Sequence, residues 1–481
     1  MLTKTPSLRH QTEVIERSKD APYFGLLMEQ GTGKTHVTLA TIAHLFRKGE
    51  INGVLVLTPN GVHYNWARNE IPLHFPDDIH KEVLVWDAAM GAKRSAMYDY
   101  TIRQDPKDLP LLIVLANIEA VRTEGFIKRI QPLFERELMM VVDEATVIKN
   151  PKAIQTKRAI FLSGHAKFTR ILTGTPLTQG PLDLWSQCRF LSPKALPYPS
   201  YTAFKAEFAV EKQMILGARH FNKIVGYRNL DRLGALIAPF TYRVMKKDCL
   251  DLPDKVYSQR YVELTDEQKR IYKQVAKDCL SLVNDSMVTV TNVLTSLLRL
   301  HQVVLGYVRD DAGVMQPIPN NRIAALLELY EEMGDEKAII FCRFKEDCRQ
   351  VLEALRAIGR NPVLYHGDVD DQERHDNVTA FQEDPKTTDL IATRAAARGL
   401  TLHAASNVIY YSQGFSLEDR LQSEDRAHRI GQTKSVLYTD LIARGTIDDK
   451  IITALKAKQN LADMVLKREE FAELLALSDT I

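Results

Sequence analysis

Short, unbroken apolar runs recur through the first third of the chain, and they limit its fold more than any other feature. Gly25–Met28, Val54–Leu57, Leu111–Leu115, Leu138–Val142 and Arg170–Thr173 are each strand-sized, and helix-like segments separate them. Strand-sized apolar runs alternating with helical patterns predict a parallel sheet with helices on both faces. The pattern lapses between about Phe190 and Tyr330, where helical periodicity dominates. It resumes at Lys337–Phe341, Asn361–Tyr365, Asp389–Thr393 and Asn407–Tyr411. At 481 residues the chain is too long for one ordinary domain. The expected fold class is α/β: a first lobe over residues 1–240, a second over 241–481, and a helical insertion over roughly 190–330 spanning their junction. The charged segment Arg243–Lys255, ending Leu252-Pro253-Asp254-Lys255, is the expected linker.

Composition excludes little. Hydrophobic residues make up 45% and charged residues 26%, with a formal net charge of +2. That balance suits an ordinary cytosolic enzyme. It equally suits a nucleic-acid binder that gathers its Lys and Arg on one face. Cys188, Cys249, Cys279, Cys342 and Cys348 form no C-x-x-C pair, which argues against a structural zinc site and for free thiols in a reducing compartment. The N-terminus lacks the apolar core of a signal peptide, and the stretch Leu109–Ile118 is shorter than the ~20 residues that span a bilayer. A cytoplasmic protein without a membrane segment is expected.

Met28-Glu-Gln-Gly31-Thr32-Gly33-Lys34-Thr35 follows an apolar run and opens a helix-like stretch, the context a phosphate-binding loop requires. Gly31 and Gly33 let the backbone curl so that the amides of Gly31, Thr32 and Gly33 face one centre. Lys34 would reach the β- and γ-phosphates of a nucleotide, and the Thr35 hydroxyl would bind Mg2+. Met28 replaces the first glycine of the strict pattern, and the plain alternative is a glycine-rich turn. Asp143 and Glu144 end the run Leu138–Val142, where a parallel sheet binds its ligands. Asp143 would hold Mg2+ and Glu144 would activate water; the alternative is an acidic helix-capping pair. Further on stands Gln422-Ser-Glu-Asp425-Arg426-Ala-His428-Arg429-Ile-Gly431-Gln432. Arg426 and Arg429, three apart, would share one helix face and clamp a γ-phosphate. A solvated, salt-bridged helix face is the alternative there.

These residues carry a resemblance to the Swi/Snf-type ATPases of helicase superfamily two, and it runs nearly end to end. Leu8-Arg9-His10-Gln11 resembles the segment whose glutamine reads adenine. Thr58-Pro59-Asn60, with Trp66 and Glu70, is similar to the first DNA-strand contact motif, and Ile113–Glu119, with Asn117, to the next. Asp143–Asn150 resembles the acidic box. Leu172-Thr173-Gly174-Thr175-Pro176 resembles the motif linking ATP state to the DNA groove. Arg243–Asp248 and Leu252–Lys255 look like the inter-lobe linker. Ile340-Phe-Cys342, His366-Gly367, Thr393-Arg394 through Leu402, and Gln422–Gln432 resemble the motifs of the second lobe. Gly445-Thr446-Ile-Asp448 looks like the start of a C-terminal brace helix, from about residue 446, that crosses back to the first lobe.

The resemblance implies two RecA-like lobes using ATP and Mg2+. It names Lys34, Asp143, Glu144, Gln422, Arg426 and Arg429 as catalytic, and Gln11 with Gly31–Thr35 as nucleotide-binding. Thr58, Pro59, Asn60, Asn117, Thr393 and Arg394 are the implied DNA contacts. It implies a monomeric motor on duplex or branched DNA rather than RNA; protein partners are not legible. Departures from the pattern are Thr146 for the usual His, Ala396 and Ala397 for glycines, Thr401 for Asn, and Phe415-Ser-Leu417 for Trp-Asn-Pro. With no accessory module visible, a bacterial or phage motor is expected. A strand-separating helicase, a protein-remodelling ATPase and the motor of a defence nuclease stay open. A nuclease core within the chain reduces to Pro76-Asp77-Asp78 and Glu82, without the required lysine. Arg219–Arg232 is a basic stretch that suits a DNA-gripping insertion or a solvated helix face.

Overall fold

The computed structural model describes residues 2–174, 180–216, 219–250, 252–285, 290–309, 314–393, 396, 400–429 and 431–456, without the side chains of 215–221 and 279–294. It divides into two compact units, Met1–Asp251 and Leu252–Ile481.

The first unit carries β1 (Tyr23–Met28), β2 (Gly53–Thr58), β3 (Lys81–Val85), β4 (Leu111–Asn117), β5 (Leu138–Asp143), β6 (Phe168–Leu172), β7 (Ala209–Leu216), β8 (Arg219–Tyr227) and β9 (Thr241–Val244). Seven of these form a parallel sheet in the order β3-β4-β2-β5-β6-β1-β9. The unbroken apolar runs now have their reason. Successive side chains of a strand point to opposite faces, and both faces are covered. Leu55, Leu57, Met140 and Val142 enter one core, while Val54, Val56, Met139 and Val141 enter the other. Because the strands are parallel, the segments leaving β1, β2, β4, β5 and β6 all start from one edge.

The second unit carries β10 (Lys255–Val262), β11 (Tyr307–Arg309), β12 (Met315–Pro317), β13 (Ala338–Phe341), β14 (Pro362–Tyr365), β15 (Asp389–Ala392), β16 (Asn407–Tyr410) and β17 (Val436–Ala443). Its parallel sheet runs β10-β17-β16-β13-β15-β14. Ile340 and Ile409 face one core and Ile339 and Val408 the other. The pair of parallel sheets flanked by helices is the RecA-like architecture expected.

Two boundaries differ from expectation. The units divide after Asp251 rather than after residue 240, because Thr241–Val244 pairs with β1 as an edge strand of the first sheet. Of its four residues only Val244 is buried, so no apolar run announces it. Residues 190–330 are also not uniformly helical. Beside the helices Tyr201–Phe208, Leu230–Ile237 and Asp266–Asp285 lie the antiparallel hairpins β7–β8 and β11–β12 and the edge strand β10. These strands are largely exposed, with Val210, Met214, Val225, Val256 and Tyr257 facing solvent, so their pattern is polar and broken.

The Gly445–Asp448 box anchors the last described helix, Ile447–Lys456; its continuation as a brace lies outside the described residues. Thr446 Oγ1 donates to Ala443 O at 2.7 Å and accepts from Asp448 N at 3.2 Å. The fully buried Asp448 carboxylate pairs with Arg322, accepts from Ala443 N at 3.2 Å and lies 3.2 Å from His301 Nε2. Burial pushes this carboxyl upward, but Arg322 and His301 prevail and hold it down to about 2. Arg322 also donates to the carbonyls of Tyr411 and Leu441, joining three elements. Removing one partner of such a cluster leaves an unpaired buried charge. Asp448→Asn is therefore expected to destabilise the second unit by about 3–5 kcal/mol in urea denaturation; a change within about 0.5 kcal/mol would show that the cluster does not anchor the helix.

Candidate nucleotide site

The segment after β1 turns on two left-handed glycines, Gly31 at φ +81° and Gly33 at φ +94°. Gly33 caps the helix Lys34–Arg47, and a Cβ there would overlap Gln11 Nε2. Gln11 is buried and braces the loop: its Oε1 accepts from Leu8 N at 2.9 Å and its Nε2 donates to Thr32 O at 3.1 Å. His10 Nε2 lies 2.8 Å from the same carbonyl. The Thr32 hydroxyl donates to Glu29 O at 2.7 Å. Lys34, also buried, folds back so that Nζ donates to Met28 O at 3.0 Å. That acceptor is main-chain, so methionine serves there as glycine would. Thr35 stands in the first turn of the helix, beside the amides that make a helix N-terminus attractive to anions.

Asp143 ends β5, two strands from β1. Its Oδ2 accepts from Trp66 Nε1 at 2.9 Å and its Oδ1 from Glu144 N at 2.9 Å. Burial, then the neighbouring Glu144 charge, push its carboxyl up to about 6, against the pull of Trp66 and Lys34. Glu144 takes φ +51°, one of two non-glycine residues with positive φ among those described. Such strain persists where the surroundings over-determine it, often at functional sites. Glu144 Oε1 accepts from Gln30 Nε2 at 3.3 Å, which joins the acidic pair to the phosphate loop. Its Oε2 is buried with no hydrogen-bond partner among the described residues. A raised carboxyl beside an orphaned carboxylate oxygen is an environment short of positive charge, and a divalent cation fits it. Among the described residues no three His, Cys, Asp or Glu side chains gather for a metal. A cation here would thus rely on Asp143, Thr35 and phosphate oxygens, the habit of Mg2+.

The expected DNA contacts in the first unit share this edge, and Thr58 and Asn117 are register partners on β2 and β4. Their side chains differ in availability. Thr58 is fully buried and its hydroxyl donates to Pro59 O at 2.8 Å; Pro59 is buried and Asn60 exposed. Asn117 donates to Glu119 Oε2 at 3.0 Å. Thr175, Pro176 and Arg394 lie outside the described residues. Thr393 follows β15 half-buried, its amide donating to Tyr365 O at 3.1 Å. Asp77 and Asp78, weighed for a nuclease, form surface ion pairs with Lys4 and Arg47 at 2.6 and 2.7 Å.

In the second unit the helix Leu417–Ala427 is capped by Ser416, whose Oγ accepts from Asp419 N at 3.1 Å. Gln422 is buried and donates to Glu418 Oε1 at 3.2 Å. The shared helix face expected for Arg426 and Arg429 is corrected: the helix stops at Ala427, His428 turns away with ψ 79°, and Arg429 lies beyond. The two guanidiniums meet all the same. Arg426 Nη1 and Arg429 Nη1 donate to one carbonyl, Leu400 O, at 3.0 and 3.2 Å. Arg426 is buried, so a solvated helix face does not describe it. Gly431 (φ +101°) and Gln432 lock the turn, with Gln432 Nε2 donating to Ala405 O at 2.9 Å and His403 O at 3.2 Å.

Comparison with known proteins now decides the family. Residues 16–305 match the SNF2-related domain model and residues 321–431 the helicase conserved C-terminal domain. The chain belongs to the SNF2-related family. It is 27% identical over 483 residues to the "Putative ATP-dependent helicase/translocase YwqA" of Bacillus subtilis, covering 94% of this chain and 48% of that protein. It is 28% identical over 394 residues to the TATA-binding protein-associated factor MOT1 of Saccharomyces cerevisiae, covering 71% of this chain and 21% of that one. A solved Sulfolobus solfataricus SWI2/SNF2 ATPase core in complex with dsDNA aligns over 99% of this chain and 98% of that one, at 25% identity and a TM-score of 0.42. The chain spans about half the length of the first curated relatives it matches.

Within this SNF2-related chain, three site residues escaped sequence reasoning. Trp66 was read only as part of a DNA motif, yet it is fully buried and fixes Asp143. A buried tryptophan requires an acceptor for its N–H, and an acidic strand end was available to provide one. Gln30 bridges loop and acidic pair with no motif to mark it. Arg420 is held over the Tyr410 ring, 3.5 Å from its centroid, and ion-paired to Glu424 at 2.8 Å. Gly33→Ala forces a side chain into left-handed backbone and displaces Gln11. It is expected to destabilise the first unit by about 1–3 kcal/mol in thermal melts and to remove nucleotide binding in calorimetry. Unchanged melting and affinity would contradict the loop geometry.

Proposed function

We propose that this chain hydrolyses ATP to drive movement along double-stranded or branched DNA. The observation that carries the reading is the junction Gln30–Glu144, where a glycine-curled loop touches an acidic pair whose Asp143 and Glu144 Oε2 are buried. Membership of the SNF2-related family supports the same reading. Among the described residues, no helix is long and apolar enough to cross a membrane.

In this mechanism the amides of Gly31–Gly33 and the ammonium of Lys34 hold the β- and γ-phosphates, Lys34 exchanging the Met28 carbonyl for phosphate oxygen. Thr35 and Asp143 would hold Mg2+, which would supply charge neutralisation for the phosphates. Glu144 orients a water and takes its proton as oxygen bonds to the γ-phosphorus. The bond to the β-phosphate oxygen breaks, and ADP and phosphate result. Arg426 and Arg429 exchange one neutral carbonyl, Leu400 O, for the γ-phosphate as charge spreads onto it. Their shared acceptor keeps the two guanidiniums together beforehand, so little reorganisation is needed. Gln422 lies on the same segment, and its carbonyl accepts from Arg426 Nε at 3.0 Å. The loop belongs to the first unit and the arginines to the second, and each round of hydrolysis is coupled to a step. Asn60, Asn117, Thr393 and backbone amides engage DNA mainly at phosphates, which gives little sequence preference and strong salt dependence.

Lys34→Ala is expected to abolish hydrolysis. Arg429→Ala should lower kcat by ~10³ or more while nucleotide affinity stays near wild type. Duplex DNA should stimulate wild-type ATPase. Normal turnover in Arg429→Ala would remove the arginine assignment, and a rate indifferent to every DNA tested would favour a protein-remodelling ATPase.

A further inference from the structure

The β7–β8 ribbon has no role in the hydrolytic scheme above, and its register is unusual. Lys212 stands directly opposite Lys223, and Gln213 opposite Asn222. Like charges directly opposed across an antiparallel pair repel and weaken it, so a free ribbon gains nothing from this pairing. The local acids do not relieve it. Glu211 pairs with Lys205, and Glu207 with Arg232 at 2.8 Å. Lys212 and Lys223 are exposed, and among the described residues neither has a carboxylate partner.

The ribbon also has an inner and an outer face. Ile224, opposite Glu211, packs against the first unit's core. Residues one position along a strand point the other way, so the lysine pair and Met214 occupy the outward face. Between Val210 and Glu211 the register shifts, leaving Val225 of β8 as the extra residue, and such an irregularity bends the strand that carries it. At the root, Tyr227 packs on Gly180, where a Cβ would overlap its ring. Gly180 lies downstream of β6, whose carboxyl end Leu172–Gly174 meets the phosphate loop at Gln30. The stretch Arg219–Arg232 is thus a strand and a helix start rather than one solvated helix face.

We infer that the outward face of the β7–β8 ribbon is a second DNA-binding surface, on which Lys212 and Lys223 each engage a backbone phosphate of the duplex. The inference rests on the DNA-motor reading. It assigns the lysines to phosphates rather than bases, and a two-stranded ribbon is narrow enough to lie along or within a major groove.

The test is fluorescence anisotropy of a labelled 25-base-pair duplex against wild type, Lys212→Ala/Lys223→Ala and Lys212→Arg/Lys223→Arg, each across a salt series. The alanine pair should bind more weakly, with the slope of log K against log salt reduced by about 2, one for each phosphate contact. The arginine pair should restore the slope. An unchanged slope in the alanine pair, with wild type binding normally, would overturn the ribbon surface alone and leave the motor reading standing; an acidic protein would then be the better occupant. Wild type that binds no duplex would overturn both. Circular dichroism confirms that the variants fold.

Discussion

Two carboxylates, the buried Asp143 and the half-buried Glu144, sit at the carboxyl edge of the first sheet, and the cost of placing them there organises what surrounds them. Burial first, and then the neighbouring Glu144 charge, make the ionised form of Asp143 costly, and its carboxyl rises to about 6. The protein meets part of the demand with Trp66, Gln30 and the field of Lys34. One oxygen of Glu144 remains unsatisfied. The site is therefore built around a deficit of positive charge, which a metal–nucleotide complex would fill. The strained backbone of Glu144 belongs to the same design, since it turns the second carboxylate towards Gln30 and the phosphate loop.

The second unit is organised differently. Its arginines are neither strained nor short of partners. They rest on one carbonyl, Leu400 O, in a turn locked by Gly431 and Gln432. Rigidity comes from buried ion clusters: Asp448 with Arg322 and His301, and Arg420 with Asp440 and Glu424. Such clusters hold the elements they join in register. Lys255, just past the division between the units, adds to this by reaching Asp425 at 3.1 Å and Glu424 at 3.3 Å. The chain leaving the first unit is thereby tied to the helix that carries Gln422 and Arg426.

Much of this was legible in the sequence, for a physical reason. Central parallel strands are buried on both faces, so β2, β4, β5, β13 and β16 announce themselves as apolar runs, and the chemistry lies at their ends. Edge strands carry no such signature. β9 straddled the start of the expected linker, and β10 and the ribbon β7–β8 fell within the expected helical insertion, because their exposed faces admit polar residues. The loop and acidic pair were found because their spacing follows from phosphate and metal chemistry. Trp66 and Gln30 were missed as partners because a single hydrogen bond across many residues of sequence leaves no periodicity. The helix expected to unite Arg426 and Arg429 ends too early, yet Leu400 O restores the juxtaposition by another route.

The proposed hydrolysis depends on Glu144 as the group that accepts the proton of the attacking water, and one variant isolates it. Glu144→Gln keeps the shape and the hydrogen-bonding capacity while removing the charge. With Mg2+ and saturating duplex DNA, ATP affinity by calorimetry should stay within about threefold while single-turnover hydrolysis falls by about 10²–10⁴. Hydrolysis at the wild-type rate would contradict the assignment and, with it, the view that the buried acidic pair is the reacting centre.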